Sequence, residues 1–130
     1  MKAWFVLSLL VCYAAAVGQW EDLDVNDEEA QDLAKIAAAT VNTQFKSRNH
    51  HKLVEIVRVR KQVVAGLKYE AKITLRETDC KKSETTFEDA NDCDFKDGSF
   101  VKYCTVTLWD QVNKGDRKLI HFSCSSRPFQ

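Results

Sequence analysis

The sequence predicts an α+β domain, on three observations. One stretch has helical period, the period switches to two after residue 51, and four cysteines cluster in the second half once the first eighteen residues are set aside. Residues 19–25 read as an acidic, extended lead-in. Asn26 is placed to cap a helix, with Glu29 three residues on as in a capping box, and Asp27 and Glu28 suit the positive end of the dipole. Ala30, Leu33, Ala37, Val41 and Phe45 then recur at helical spacing with Ala34 and Ala38 beside them. This predicts one amphipathic helix of about 19–21 residues with a small-residue face suited to close packing on a sheet. Ser47-Arg48-Asn49-His50-His51 is expected to end it in a solvated turn.

Beyond residue 51, Val57, Val59, Val63, Leu67, Tyr69, Ala71, Ile73 and Leu75 fall on odd positions, and Lys68, Glu70, Lys72, Thr74 and Arg76 on even ones. Such alternation predicts strands with one buried face. Gln62-Val63-Val64-Ala65-Gly66 separates two runs, and its glycine suits a tight hairpin or bulge. Residues 77–98 are polar and without period, which predicts a long loop. Strands resume at Phe100–Trp109 and Lys118–Ser125, giving a four- or five-stranded antiparallel meander after one helix.

Met1-Lys2, an apolar run from Ala3 to Tyr13, and Ala14-Ala15-Ala16-Val17-Gly18 have the order of a secretory signal peptide, cleaved after Ala16 or after Gly18. The apolar run, roughly 13–15 residues, is too short to span a bilayer. The expected organisation is therefore a signal peptide at 1–18 and one secreted domain at 19–130, with no membrane partner. Cleavage removes Lys2 and Cys12. It leaves 18 cations against 19 anions, and Cys80, Cys93, Cys104 and Cys124 bound for an oxidising compartment. That balance argues against a nucleic-acid binder, which needs surplus cations. Four cysteines allow three pairings, and sequential pairing would close two modest loops worth roughly 3 kcal/mol each on a loop-entropy account. Spacings of 13, 11 and 20 contain no close Cys pair of the kind that holds zinc, so no metal is expected.

An acid–base enzyme would draw on His50, His51 and His121, which would have to meet in one cleft, and a disulfide-bonded cysteine is no nucleophile. No Gly-rich phosphate loop, HExxH or acidic calcium loop is present, and no Asn stands in a glycosylation sequon. By subtraction the chain reads as a binder with no cofactor, not an enzyme. Gly18, the apolar hairpin Gln62–Gly66 and Leu108-Trp109 invite one binding surface. By residue pattern alone, Val63 and Val64 as ordinary strand residues and Trp109 as a core residue is the competing reading.

Gln62-Val63-Val64-Ala65-Gly66 resembles the Gln-x-Val-x-Gly motif of the cystatins, inhibitors of papain-like cysteine proteases. Gly18, 44 residues upstream of Gln62, matches the N-terminal binding glycine of the secreted, two-disulfide (type 2) branch, and Trp109 matches the tryptophan of the family's second loop. The four mature cysteines match the family's in order. The resemblance implies pairs Cys80–Cys93 and Cys104–Cys124, and a long helix wrapped by a curved antiparallel sheet. It also implies a monomeric, reversible, competitive inhibitor of proteases such as cathepsins L and S. Its wedge would comprise Gly18, Gln62, Val63, Val64, Ala65, Gly66, Leu108 and Trp109. A cystatin-fold binding or immune-effector protein without tight inhibition is the alternative. Leu108 stands where the family usually has proline, which forgoes that residue's fixed φ. Phe45-Lys46-Ser47 stands where a legumain-binding Ser-Asn-Asp-like loop would be, so legumain is not an expected partner.

Overall fold

The structure is a computed structural model that describes residues 18–111 and 117–130. The signal peptide expected at 1–18 lies, all but Gly18, outside the described residues, as do residues 112–116. Strand β1 (Glu21–Leu23), helix α1 (Glu28–Gln44), β2 (Asn49–Val64), β3 (Gly66–Lys81), β4 (Lys102–Asp110) and β5 (Arg117–Ser125) follow in chain order. The five strands form one antiparallel sheet in the order β1-β2-β3-β4-β5. This is the helix-on-sheet α+β architecture expected, with the lead-in contributing a short edge strand.

Helix α1 lays its small face on the sheet. Ala30, Leu33, Ala34, Ala37, Ala38 and Val41 are all buried, at the i, i+3, i+4 spacing that makes one stripe. Four alanines in that stripe let the helix backbone approach Val59, Ala71, Ile73, Leu75, Val106 and Leu108 closely, and these with Tyr69 and Cys104 complete the core. The helix is 17 residues long, and its start differs from the capping box expected at Asn26. Asp24 Oδ1 accepts the Asn26 N–H at 2.9 Å and its carbonyl accepts the Asp27 N–H at 3.0 Å. This Asx turn draws Asn26 out of the cap position, and Asp27 becomes the N-cap without a side-chain bond.

The C-terminus is capped from a distance. No basic residue lies in the last turn, but Lys82 Nζ donates to the carbonyls of Asn42 and Phe45 at 2.8 and 2.9 Å. Burial lowers the Lys82 pKa, and the ammonium is held there by carbonyls left free at the helix end. Replacing Lys82 with Met should cost about 1–2 kcal/mol, measured as a shift in the urea midpoint at unchanged slope.

Two expectations about the middle of the chain are corrected. His50 and His51 are not in a solvated turn: β2 begins at Asn49, and both are buried. Asn42 explains why. Its Oδ1 accepts the His51 N–H at 2.7 Å, which turns its Nδ2 toward His50 Nδ1 at 2.9 Å. His50 Nδ1 therefore accepts, and Nε2–H donates to the Thr85 carbonyl. Residues 77–98 are not simply a loop either. β3 continues to Lys81, Thr78 bridges Phe95, and the Asp79 N–H donates to the Asp94 carbonyl and the Lys96 N–H to the Glu77 carbonyl, both at 3.0 Å. In this extension of β3, residues 77–81, the buried side chain is Thr78, whose hydroxyl donates to the His50 carbonyl at 2.8 Å, so hydrophobic alternation has nothing to register there.

The sheet bends through bulges. The β2–β3 register slips between Leu53 and Glu55 and between Ile56 and Arg58, which leaves Val54 and Val57 as extra residues, 45% and 41% exposed. Val57 is thus not on the buried face, as strict alternation predicts; each bulge inverts the count while curling the strand around the helix. Cys80 pairs with Cys93, and Cys104 with Cys124, the latter directly across β4 and β5.

Candidate functional site: one edge of the sheet

The β2–β3 hairpin closes in minimal length: Val64 pairs with Gly66 and Ala65 sits at the apex. Gly66 has φ +105°, a conformation L side chains rarely adopt, so the glycine is required by the turn. Val63 is 55% exposed and Val64 37%, beyond the reach of the helix. They are strand residues by pairing, yet they leave an apolar tip open to solvent.

Gly18 lies against this hairpin. Its N–H donates to the Val63 carbonyl at 3.2 Å, and Gln62 Nε2 donates back to the Gly18 carbonyl at 3.1 Å. A Cβ on Gly18 would stand 2.9 Å from the Val63 carbonyl oxygen and 3.1 Å from the Val63 Cβ, so close backbone approach explains the glycine. On the other side, Trp109 Nε1–H donates to the Ala65 carbonyl at 3.0 Å. Three segments far apart in sequence are therefore hydrogen-bonded into one edge: Gly18, Gln62–Gly66 and Trp109.

Leu108 is the exception. It is 2% exposed, pairs with Tyr69 and Leu119 in the sheet, and belongs to the core under the helix. Sequence adjacency to Trp109 suggested a shared surface, but successive strand residues face opposite ways, so only Trp109 is presented at the edge. Trp20 and Arg60 are residues the sequence reading passed over. Trp20 packs on the Arg60 guanidinium at 4.5 Å, and Arg60 is held by a bidentate pair with Glu70 at 2.9 and 3.1 Å. Only the presence of a tryptophan in an otherwise acidic lead could have signalled this.

The histidines do not assemble. His121 is exposed on β5, three strands from β2 and so roughly 14 Å across the sheet at ordinary strand spacing, and the register His121–Thr107–Glu70–Arg60 sets it level with Arg60, far along β2 from His50 and His51. Among the described residues no group of three or more His, Cys, Asp or Glu could hold a metal ion. No helix of the described residues is long and apolar enough to cross a membrane.

Residues 18–113 match the Cystatin domain family. The chain belongs to the cystatin family. It is 30% identical over 132 residues to L-cystatin of Tachypleus tridentatus, covering 98% of this chain and 99% of that protein. It is 28% identical over 127 residues to Cystatin-1 of Chilobrachys guangxiensis, covering 95% of each. Among solved structures, the salivary cystatin from the soft tick Ornithodoros moubata superposes with a TM-score of 0.66 at 22% identity, covering 83% of this chain and 97% of that one. Dimeric human cystatin F superposes with a TM-score of 0.69 at 21% identity, covering 84% and 87%. These structural likenesses concern the fold. The two disulfides give this cystatin the type 2 arrangement.

Proposed function

We propose that this cystatin is a secreted, monomeric, reversible and competitive inhibitor of papain-like cysteine proteases such as cathepsins L and S, and not an enzyme. Membership of the family implies cysteine protease inhibition. The observation that carries the finer reading is the hydrogen-bonded edge, in which Gly18 and Trp109 flank an exposed Val63-Val64-Ala65 tip. Such an edge suits a cleft with a nucleophile at its centre. The tip is apolar and stiff, and a rigid wedge loses little entropy on docking. It fills the cleft on both sides of the catalytic cysteine and excludes substrate, without placing a scissile carbonyl in line for attack. Trp109 is the large anchor, with its indole N–H already satisfied by Ala65, so docking it strips no unpaired donor. A signal peptide cut after Ala16 leaves Val17-Gly18 as the first binding element.

Titration of the oxidised protein beginning at Val17 into active-site-counted papain and cathepsin L tests this. The expected outcome is reversible inhibition at one-to-one stoichiometry, weakened about thirtyfold or more by Trp109→Ala. Folded protein that leaves both proteases active would mean that the family fold here serves another partner. Legumain activity is expected to be untouched.

A further inference from the structure

The N-terminal segment is held by more than its backbone. β1 is only three residues long and pairs along an edge, with Glu21 opposite Lys61. Trp20, one residue upstream, lies beside Gln62. Its indole covers the face formed by two cross-strand pairs, Arg60 with Glu70 and Gln62 with Lys68. The Arg60 guanidinium carbon is 4.5 Å from the ring centroid and Lys68 Nζ 5.9 Å. Glu70 grips Arg60 in a bidentate pair whose side chains are 25% and 15% exposed, so the platform under the indole is itself immobilised. These residues alternate with Val59, Tyr69 and Ala71, which face the helix. Trp20 therefore packs on the sheet face away from the core.

We infer that Trp20 is a positioning residue: packed on the Arg60–Glu70 pair and beside Lys68, it holds the N-terminal segment on β2 in the register that sets Gly18 against Val63. The inference rests on the proposed function in one respect, that this segment enters a protease cleft. Without the indole, the segment upstream of β1 is held only by the Gly18–Val63 and Gln62–Gly18 hydrogen bonds. An unpinned segment must be ordered again on each docking, and the loss appears as faster dissociation. Lys68 adds a cross-sheet link, since it pairs directly with Trp109 in the register of β3 and β4.

The test is a cycle between Trp20→Ala and removal of Val17 and Gly18. In the protein beginning at Val17, Trp20→Ala should weaken papain inhibition about tenfold, chiefly through dissociation, while the thermal midpoint moves by less than about 2 °C. In the protein beginning at Gln19 the same substitution should change inhibition less than about twofold, because there is nothing left to position. Trp20→Phe should recover most of the loss, and exchange protection of the Gly18 N–H should fall in Trp20→Ala. An equal loss in both lengths, or no loss in the longer one, overturns the inference. If neither length inhibits papain, the proposed function has failed, and the Gly18 amide decides the positioning role alone: unchanged protection in Trp20→Ala refutes it.

Discussion

Val63→Asp is expected to raise the inhibition constant against papain at least about a hundredfold while leaving the protein folded. The side chain is 55% exposed and has no part in the core, so the free protein tolerates a carboxylate there. The Gly18–Val63 bond is a backbone bond and survives the substitution. The penalty falls entirely on the complex. On the wedge reading, the tip sits in a closed apolar cleft, and an unpaired carboxylate there must shed its water without gaining a partner, which costs several kcal/mol. Inhibition constants paired with thermal unfolding of the free protein check both halves. Inhibition within threefold of the parent, from a protein with an unchanged midpoint, would remove the hairpin tip from the interface.

At the opposite end of the molecule, acidification should cost the folded protein about 3 kcal/mol between pH 6.5 and 4. His51 is buried at 1% exposure, packs on Phe45 with ring centroids 4.5 Å apart, and among the described residues finds no hydrogen-bond partner for either ring nitrogen. It borders a cavity of about 280 Å³ with Glu77, Lys96, Ser99, Phe100 and Lys102. Burial first, then the positive charge of Lys102, with Lys82 adding to it against an opposing Glu77, pushes the imidazole down from 6.5 to about 4. The unfolded chain thus binds a proton between those pH values that the folded chain refuses. Stability from this group is complete above pH 6.5 and falls as the pH drops toward 4, below which both states are protonated. Asp22, held below its ordinary 3.8 mainly by its hydrogen bond from Arg58, acts in a lower window and is exposed. Urea unfolding of the parent and of His51→Leu across pH 7.5–4 checks this. The variant should lose most of the slope between 6.5 and 4; an undiminished slope would refute the role of His51.

How much of this was legible beforehand depends on whether the determining signal was local. The helix stripe from Ala30 to Val41 and the alternation from Leu67 to Leu75 are repeated apolar signals, and both fall in the elements expected of them. The hairpin at Gln62–Gly66 was legible because only glycine accepts φ +105° without strain. Polar burial was not legible. His50, His51, Asn42 and Thr78 look like surface residues until their partners on other elements satisfy or enclose them. The helix start moved because Asp24 competed for the turn, and Val57 emerged because a bulge reverses the pleat.

The sequence by itself determined the fold class, the family and the residues that populate the hairpin tip, since period, turn chemistry and cysteine order are properties of the chain alone. Tertiary structure decided what those residues can touch. It brought Gly18 and Trp109 to the same hairpin, laid Trp20 on Arg60, and turned Leu108 inward while Trp109 stayed at the edge. Strand register set each of these outcomes, and register is fixed by pairing between segments dozens of residues apart, where a slip of one residue would exchange the two faces.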